Sequence, residues 1–539
     1  MTADKHSGNE LSFHLPSLPP LWYLVAGMVF LGISYAPYHH WDEYFYLYSA
    51  GTFSLPELLD LEPGLALGLF PPAFFSSKIG FVAFLDLLCG ITGDGLDALT
   101  AIQFVFALVV LAFTGASWLL LRELFGRDRA QYITFVLLFM PLSLYFSYKV
   151  FSELFSLVFI AVGCVAYLRT LRASSGAAVA GYGSAALVLL MAGVLCRFTS
   201  IAFFGGLVLG LFVLGDPRFP FRRNFLSAAV MTILVVALSG LFYIVVVGLE
   251  PAEFAGLFGA VQDKSPSLVM KVYAVFMSVQ LFFVPLFFVL WKLGSATVRF
   301  AVVWALVCIL PFILIAKYVE PRYFYMAALP LAILAHYGLL RLVSFLLPRR
   351  KAVAGWLVLL AVVVVGNRFS FFSLMIYEHD QHQYSRMHRE LKNRFPEAVY
   401  LVPWVSDYSF LRFAFPEEKI KLAWSPEGYE TLDFFRSQSY LRWAGGREMY
   451  IDSPERLASL GGEALYVGWR YNPPAVRLKK KMLWLQNKYV KDVEVSEGLK
   501  NHLAQSWLWE SPLVELKPVL TVEPYEAFSV ETVVVDSRK

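Results

Sequence analysis

Long apolar runs alternate with short polar segments over the first two-thirds of the chain. A bilayer core about 30 Å thick is crossed by roughly 20 apolar helical residues, and eleven runs come close to that length. The pairs of runs that meet near residues 148 and 197 are barely separated, so ten or twelve spans remain open. The pattern predicts a multi-pass α-helical membrane protein with about eleven transmembrane helices. The runs lie near residues 21–37, 100–121, 131–147, 150–168, 180–196, 199–215, 225–248, 272–291, 299–316, 323–346 and 353–368.

The pattern changes after residue 368, where the apolar runs shorten and charged residues return. Strand-like stretches at 398–403, 463–469 and 528–535 alternate with helix-like stretches at 384–395 and 453–460. Alternation of this kind is typical of a small α/β domain, which we place at residues 369–539.

The chain opens with a polar segment, residues 1–20, that ends in a proline pair. The first apolar run lacks a small-residue cleavage site. We therefore predict a retained first helix rather than a signal peptide.

The basic residues indicate the orientation of the spans. With a cytoplasmic N-terminus, the inner loops carry fourteen Lys and Arg residues and the longer outer loops carry seven. This bias favours a cytoplasmic N-terminus and, with eleven spans, an exterior C-terminus. The transmembrane module, 21–368, then exposes a long first loop, 38–99, on the side of the C-terminal domain. Within that loop, residues 81–93 form an amphipathic stretch expected at the membrane interface.

Composition narrows the classes of protein that fit. Of 539 residues, 58% are hydrophobic, 17% are aromatic and only 16% are charged, against roughly 25% charged in soluble domains. Disordered, nucleic-acid-binding and small disulfide-rich classes are excluded. The net charge of +4 is too small to indicate a polyanionic partner. The four cysteines lie in or beside apolar runs and predict neither a disulfide framework nor a thiolate metal site.

Because charges beside spans are costly, they are candidates for function. They collect at span junctions on the predicted outer face, although each could also be a helix-end anchor or a neutralised ion pair. The adjacent acids Asp42 and Glu43 repel each other, so we expect one to act while the other is paired or coordinates a ligand. The candidates are His39, His40, Asp42, Glu43, Lys149, Glu153, Arg197, Lys317, Glu320 and Arg322.

The order of these motifs resembles the C-type superfamily (GT-C) of membrane glycosyltransferases. It is most similar to the branch with the protein O-mannosyltransferases and the lipid A aminoarabinose transferase. The motifs are the Asp-Glu pair in YAPYHHWDEYF, Pro71-Pro72 before the amphipathic stretch, Glu153 in SYKVFSELF, Arg197 in CRFTS and Arg322 in EPRYFYM. The resemblance covers roughly residues 20–345 and an exterior C-terminal domain. One departure is that only Glu62 is charged in the stretch before the paired prolines, whereas the aminoarabinose-transferring relatives carry more charge there.

The resemblance implies transfer of a hexose or pentose from a polyprenyl-phosphate carrier to an acceptor hydroxyl, with inversion, at the periplasmic face of the inner membrane. By similarity, Asp42 is the general base and Glu153 assists or positions the acceptor. The donor phosphate is assigned to Arg197, Arg322, Lys149, Lys317, Lys78 and Tyr323. The resemblance implies an acceptor that is a glycan, a lipid or a protein. Membrane lipid is a further expected partner, and no nucleic acid is expected.

Metal dependence stays open at this point. Members of the superfamily that move oligosaccharides use a divalent cation, and Mg²⁺ or Mn²⁺ could be held by His39, His40, Asp42 and Glu153. Two other functions are compatible with the pattern. A transporter or flippase would line a path with the same charges, and a noncatalytic scaffold would use the tail to bind a partner.

Overall fold

The computed structural model describes residues 20–34, 38–39, 41–65, 74–248, 271, 275, 279, 282–289, 293–314, 321–346, 379–402, 405–423, 438–451, 453–460, 462–469, 514–522 and 525–532. The side chains of some residues within these ranges, among them His39 and Asp42, lie outside the description.

Helices make up most of the described chain. In order they are α1 (Pro20–Ser34), α2 (Trp41–Thr52), α3 (Leu55–Leu65), α4 (Ile79–Thr92), α5 (Leu96–Phe125), α6 (Arg127–Phe139), α7 (Pro141–Phe146), α8 (Ser152–Arg172), α9 (Gly176–Cys196), α10 (Ile201–Leu214), α11 (Phe221–Phe242), α12 (Phe283–Val289), α13 (Ala296–Leu314), α14 (Ala328–Leu346), α15 (Gln381–Arg394), α16 (Val405–Ala414), α17 (Gln438–Trp443) and α18 (Pro454–Ala458). Single 3₁₀ turns cover Ser76–Lys78, Phe198–Ser200 and Arg447–Met449, a longer 3₁₀ segment covers Pro321–Ala327, and a π-helical turn, Tyr243–Val247, extends α11.

Six helical segments among the described residues are long and apolar enough to cross a bilayer. They contain α5, α8, α9, α11 with its π turn, α13 and α14, and the shorter apolar segment 198–214 contains α10. The chain is therefore an integral membrane protein, as the hydropathy pattern predicts. The count of eleven spans stays a prediction, because the run at 353–368 lies outside the described residues and the run at 272–291 is described only in part.

The predicted run at 131–147 is divided between α6 and α7. Met140 is extended between them and Pro141 opens α7, because a proline has no N–H to continue the preceding helix. The chain then turns sharply before α8 through Tyr148, whose φ of 61° is rare for a residue with a side chain. The Tyr148 hydroxyl donates to the carbonyl of Leu31 on α1 at 2.9 Å, which ties this turn to the first helix.

The C-terminal part contains a six-stranded mixed sheet in the order β5-β4-β3-β6-β8-β7. Its first four members are parallel, whereas β8 pairs antiparallel with both β6 and β7. The predicted strands at 398–403, 463–469 and 528–535 correspond to β3, β6 and β8, and the predicted helices correspond to α15 and α18. The strands are β3 (Val399–Val402), β4 (Ile420–Ala423), β5 (Tyr450–Ile451), β6 (Ala464–Trp469), β7 (Val514–Val522) and β8 (Tyr525–Thr532).

The helices between α1 and α5 share one hydrophobic core with the C-terminal part. Side chains of α2, α3 and α4 are buried in the same cluster as those of α16, β3, β4 and β6. A two-residue ladder also joins β1 (Tyr38–His39), just before α2, to β2 (His379–Asp380), where the described tail begins. The boundary at residue 369 stays a prediction, but these two segments pack against each other.

Candidate functional site

One end of the helix bundle is strongly basic. Arg169 and Arg172 both pair with Glu123, at 3.1 Å and 2.6 Å. Arg218 donates to the carbonyl of Leu124, and Arg223 donates to carbonyls at the end of α8. These arginines lie in or beside the terminal turns of helices at one end of the bundle, which is the arrangement expected of a cytoplasmic face.

At the opposite end, Glu43 lies in the first turn of α2 and is 1% exposed. Its Oε2 accepts a hydrogen bond from the backbone N–H of Val150 at 3.0 Å, and its Oε1 is 3.8 Å from Lys149 Nζ. Lys149 is itself buried, at 4% exposure. A charge taken out of water needs a partner, and these contacts attach the start of α2 to the junction before α8.

Three residues further along that junction, Glu153 opens α8 and lies between two arginines. Its Oε1 is 3.1 Å from Arg197 Nη1 and 3.8 Å from Arg322 Nε. Arg197 also donates from Nη1 to the hydroxyl of Ser152 and from Nε to that of Thr199, both at 3.1 Å. The carboxylate is 2% exposed, so this cluster is shielded from bulk water.

Aromatic rings surround the two arginines. The Arg322 guanidinium is 5.1 Å from the ring centre of Phe151 and 5.4 Å from that of Tyr323. The Arg197 guanidinium is 5.8 Å from the ring centre of Tyr323. Cation–π contacts of this kind hold guanidinium groups in place without neutralising them. Among the described residues, two guanidinium groups thus face the carboxylate of Glu153.

Lys78 contacts α2 one turn beyond Glu43. Its ammonium donates to the Tyr46 hydroxyl at 2.5 Å and lies 4.2 Å from the ring centre of Phe74. Glu62 supports the same turn, because its carboxylate accepts the backbone N–H groups of Phe75 and Ser76. Burial raises the pKa of Glu62, and these hydrogen bonds and Lys78 oppose the shift.

The structure brings six of the predicted site residues to one end of the bundle. They are Glu43, Lys149, Glu153, Arg197, Arg322 and Tyr323. Lys78 attaches to the same helix through Tyr46. Asp42 is the second residue of α2 and its side chain lies outside the described part, as does that of His39. His40, Lys317 and Glu320 are outside the described residues altogether.

Three further polar residues of the site carry weak sequence signals. Ser152 is the first residue of α8 and accepts from Arg197, but a serine at a helix start is ordinarily a cap. Tyr46 is one of many tyrosines in its stretch. In the sequence, Glu62 is notable only as the single charged residue in the stretch before the paired prolines. A lone charge in an apolar stretch can indicate a buried, paired side chain.

The metal-ligand hypothesis can be tested only at Glu153. Two arginines already face its carboxylate, and their charges would repel a divalent cation placed there. In the described part of the chain, no group of three or more His, Cys, Asp or Glu side chains could hold a metal ion. The side chains of His39, His40 and Asp42 lie outside it. The described donor set does not fit a metal at Glu153.

The helical bundle with its mixed C-terminal sheet is similar in fold to ArnT, a solved protein of the kind that the sequence resemblance named. ArnT from Cupriavidus metallidurans in the apo state superposes with a TM-score of 0.55 over 94% of this chain and 97% of that one, at 15% identity. The same protein bound to undecaprenyl phosphate gives a TM-score of 0.54 with the same coverage and identity. At this identity the likeness concerns the fold.

A weaker match is the oligosaccharyltransferase of Archaeoglobus fulgidus, tethered with an acceptor peptide. Its TM-score is 0.42 at 11% identity, over 73% of this chain and 63% of that one. No family model matches the sequence, and no curated protein matches it at a significant level.

Proposed function

We propose that the protein transfers a sugar from a polyprenyl-phosphate carrier to an acceptor hydroxyl at the exterior face of the membrane. The observation that supports this most directly is the cluster of Glu153 with Arg197 and Arg322. These residues come from three separate helix ends and are buried together, with two guanidinium groups beside one carboxylate. A phosphate ester at the membrane surface is the kind of group that such a cluster stabilises.

The chemistry follows from the roles of the groups. Attack of an acceptor hydroxyl on the anomeric carbon forms the new glycosidic bond as its proton passes to a carboxylate base. The bond between the anomeric carbon and the phosphate oxygen breaks, and the polyprenyl phosphate leaves with both bonding electrons. We assign the base to Asp42, the residue before the paired Glu43. Displacement from the face opposite the phosphate inverts the anomeric centre.

The arginines stabilise the leaving phosphate. Negative charge grows on the phosphate oxygens as the bond breaks, and preorganised guanidinium groups lower the energy of that transition state. Arg197 is held by Ser152, Thr199 and Glu153, and Arg322 is held over Phe151, so neither has to reorient. Glu153 acts by holding both cations in place.

Charge placement favours this function over a transporter. Transport proteins more often hold ionisable groups near the bilayer midplane, on broken helices. Here Glu153 opens α8, Arg197 follows the end of α9, and Arg322 lies in the 3₁₀ turn before α14. On the proposed topology the site faces the periplasm and the protein is resident in the inner membrane.

The proposal is tested in cells that lack the protein. We expect a polyprenyl-phosphate sugar to accumulate and one glycan to lose a sugar, both measured by mass spectrometry. The wild-type gene should restore the pattern and Asp42→Asn should not, because the amide cannot accept the hydroxyl proton.

The matched control is Asp94→Asn, an exposed acid in the turn between α4 and α5. It should restore the glycan fully at equal protein level. Full restoration by Asp42→Asn would refute Asp42 as the base. An unchanged lipid-linked sugar pool in the deletion strain would refute the proposed reaction as a whole.

A further inference from the structure

The last residues of α17 insert between the first two exterior helices. Trp443 is fully buried, and its Nε1 donates to the Ser49 hydroxyl at 2.9 Å. In return, the Tyr48 hydroxyl donates to the Trp443 carbonyl at 3.0 Å. Two buried hydrogen bonds in opposite directions thus join adjacent residues of α2 to one residue of the C-terminal part, almost four hundred positions away in sequence.

The neighbouring contacts extend this joint along both exterior helices. Arg442 pairs with Asp60 at 3.1 Å and with Glu57 at 3.7 Å, both on α3. A Cβ added at Gly64 of α3 would overlap the side chain of Ser439 on α17. The six-residue helix α17 therefore packs closely against both α2 and α3.

A second helix of the C-terminal part covers the same side of α2. Phe410 of α16 makes an edge contact with Tyr44, at 4.6 Å between ring centres. A Cβ at Gly51 would meet the Phe413 ring at 3.1 Å. The spacing of Tyr44, Tyr48 and Gly51 puts them on one face of a helix. This face of α2 therefore packs against the C-terminal part.

The other face of α2 carries the proposed active site. Glu43 bonds the junction before α8, and Tyr46 bonds Lys78. The helix has only twelve residues, too few to be stable alone in water. Its orientation, and with it that of Asp42 in its first turn, is set by the contacts on its two faces.

We infer that α17 is a positioning element of the active site, with Tyr48, Ser49 and Trp443 as positioning residues for the general base on α2. The inference rests on the proposed function. A displacement of about 1 Å in a reacting group can cost on the order of 100-fold in rate while leaving binding of a remote ligand group intact. Loosening α2 from α17 should therefore slow sugar transfer without weakening the phosphate site.

The test uses the full-length protein with Tyr48→Phe and Ser49→Ala combined, which removes both hydroxyls and keeps both helices. Three quantities are measured: hydrogen exchange of the amides at 43–52, binding of undecaprenyl phosphate to purified protein, and glycan product in cells at equal protein level. We expect faster exchange in α2, binding within twofold of wild type and at least about tenfold less product. The matched control, Tyr182→Phe with Ser459→Ala, removes two hydroxyls far from α2 and should change none of the three.

Several outcomes would overturn the inference. One is wild-type product formation despite faster exchange in α2, and another is unchanged exchange in α2. A third is a loss of undecaprenyl phosphate binding in proportion to the product, which would indicate general unfolding. If wild-type cells form no sugar-transfer product, the proposed function fails first and the inference falls with it, so the two failures are distinguishable.

Discussion

The buried acids at the Glu153 end of the bundle are each placed beside specific partners. Glu43 accepts from the Val150 N–H and pairs with Lys149, whereas Glu153 is charge-paired with two arginines. Glu43, one of the two adjacent acids of α2, is thus already engaged in a buried pair. Burial of a charge is tolerated only where a partner comes with it, and these partners come from other segments of the chain.

The Glu43–Lys149 pair leads to a prediction about stability. Glu43→Ala should lower the thermal unfolding midpoint markedly, since breaking a buried ion pair costs about 3–5 kcal/mol. Glu43→Gln should cost less, because the amide oxygen still accepts from Val150. Adding Lys149→Met to Glu43→Gln should recover part of the loss. A double-mutant cycle on purified protein measures this coupling, and additive effects would show that the two charges do not interact.

Arg197 provides a prediction about ligand binding. Arg197→Lys keeps the charge but loses the forked donors that reach Ser152, Glu153 and Thr199 together. We expect the Kd for undecaprenyl phosphate to rise about tenfold or more, measured by titration of purified protein. Arg222→Lys, at the basic end of the bundle, is the control and should bind as wild type. Equal affinities for the two variants would remove Arg197 from the phosphate site.

Among the membrane helices, α10 and α13 approach closely through glycine. A Cβ at Gly206 would lie 2.9 Å from the Trp304 carbonyl oxygen, and a Cβ at Gly210 would lie 2.8 Å from the Phe300 ring. The four-residue spacing puts both glycines on one face of α10, so the two backbones can pack directly. The indole N–H of Trp304 then donates to the carbonyl of Phe203 at 2.9 Å.

This packing predicts a sharp contrast between neighbouring glycines. Gly206→Ala should lower the unfolding midpoint by several degrees, because its methyl group meets backbone as well as a ring. Gly205→Ala has nothing within 4 Å, so it should leave the midpoint unchanged or raise it slightly through helix propensity. Differential scanning fluorimetry in detergent compares the two. Similar midpoints would mean that α10 and α13 are not in close contact.

At the scale of the whole molecule, the two ends of the bundle differ in charge and in chemistry. The arginines around Glu123 lie at one end, and the Glu153 cluster lies at the other beside the C-terminal sheet. On the proposed topology the arginine end is cytoplasmic. The helices α2, α3 and α4 share a core with the C-terminal part.

The assignment of sides is open to a labelling experiment. All four cysteines are buried, so the background labelling should be low. In intact spheroplasts, Glu397→Cys, whose native side chain is 88% exposed, should react with a membrane-impermeant maleimide. Arg222→Cys should react only after permeabilisation. The reverse pattern would place the Glu153 cluster on the cytoplasmic side and contradict the proposed topology.

Local patterns in the sequence were sufficient to predict many of the helices and strands. Apolar runs predicted the helices at α5, α8, α9 and α11, and period and composition predicted β3, β6 and β8. Such features depend on neighbours in sequence, through helix length and side-chain spacing. The broken helix at Pro141 was missed because the run is continuously apolar, although the proline marked the break.

Contacts between residues that are hundreds of positions apart in sequence could be identified only from the tertiary structure. The sequence selected Glu153, Arg197 and Arg322 as rare charges beside spans, but nothing local places two arginines on one carboxylate. Likewise, no pattern in α2 shows that Trp443 inserts beside it. Scarcity of charge in apolar segments is a property of the sequence, because each buried charge is costly. Which partner offsets that cost depends on how the helices pack.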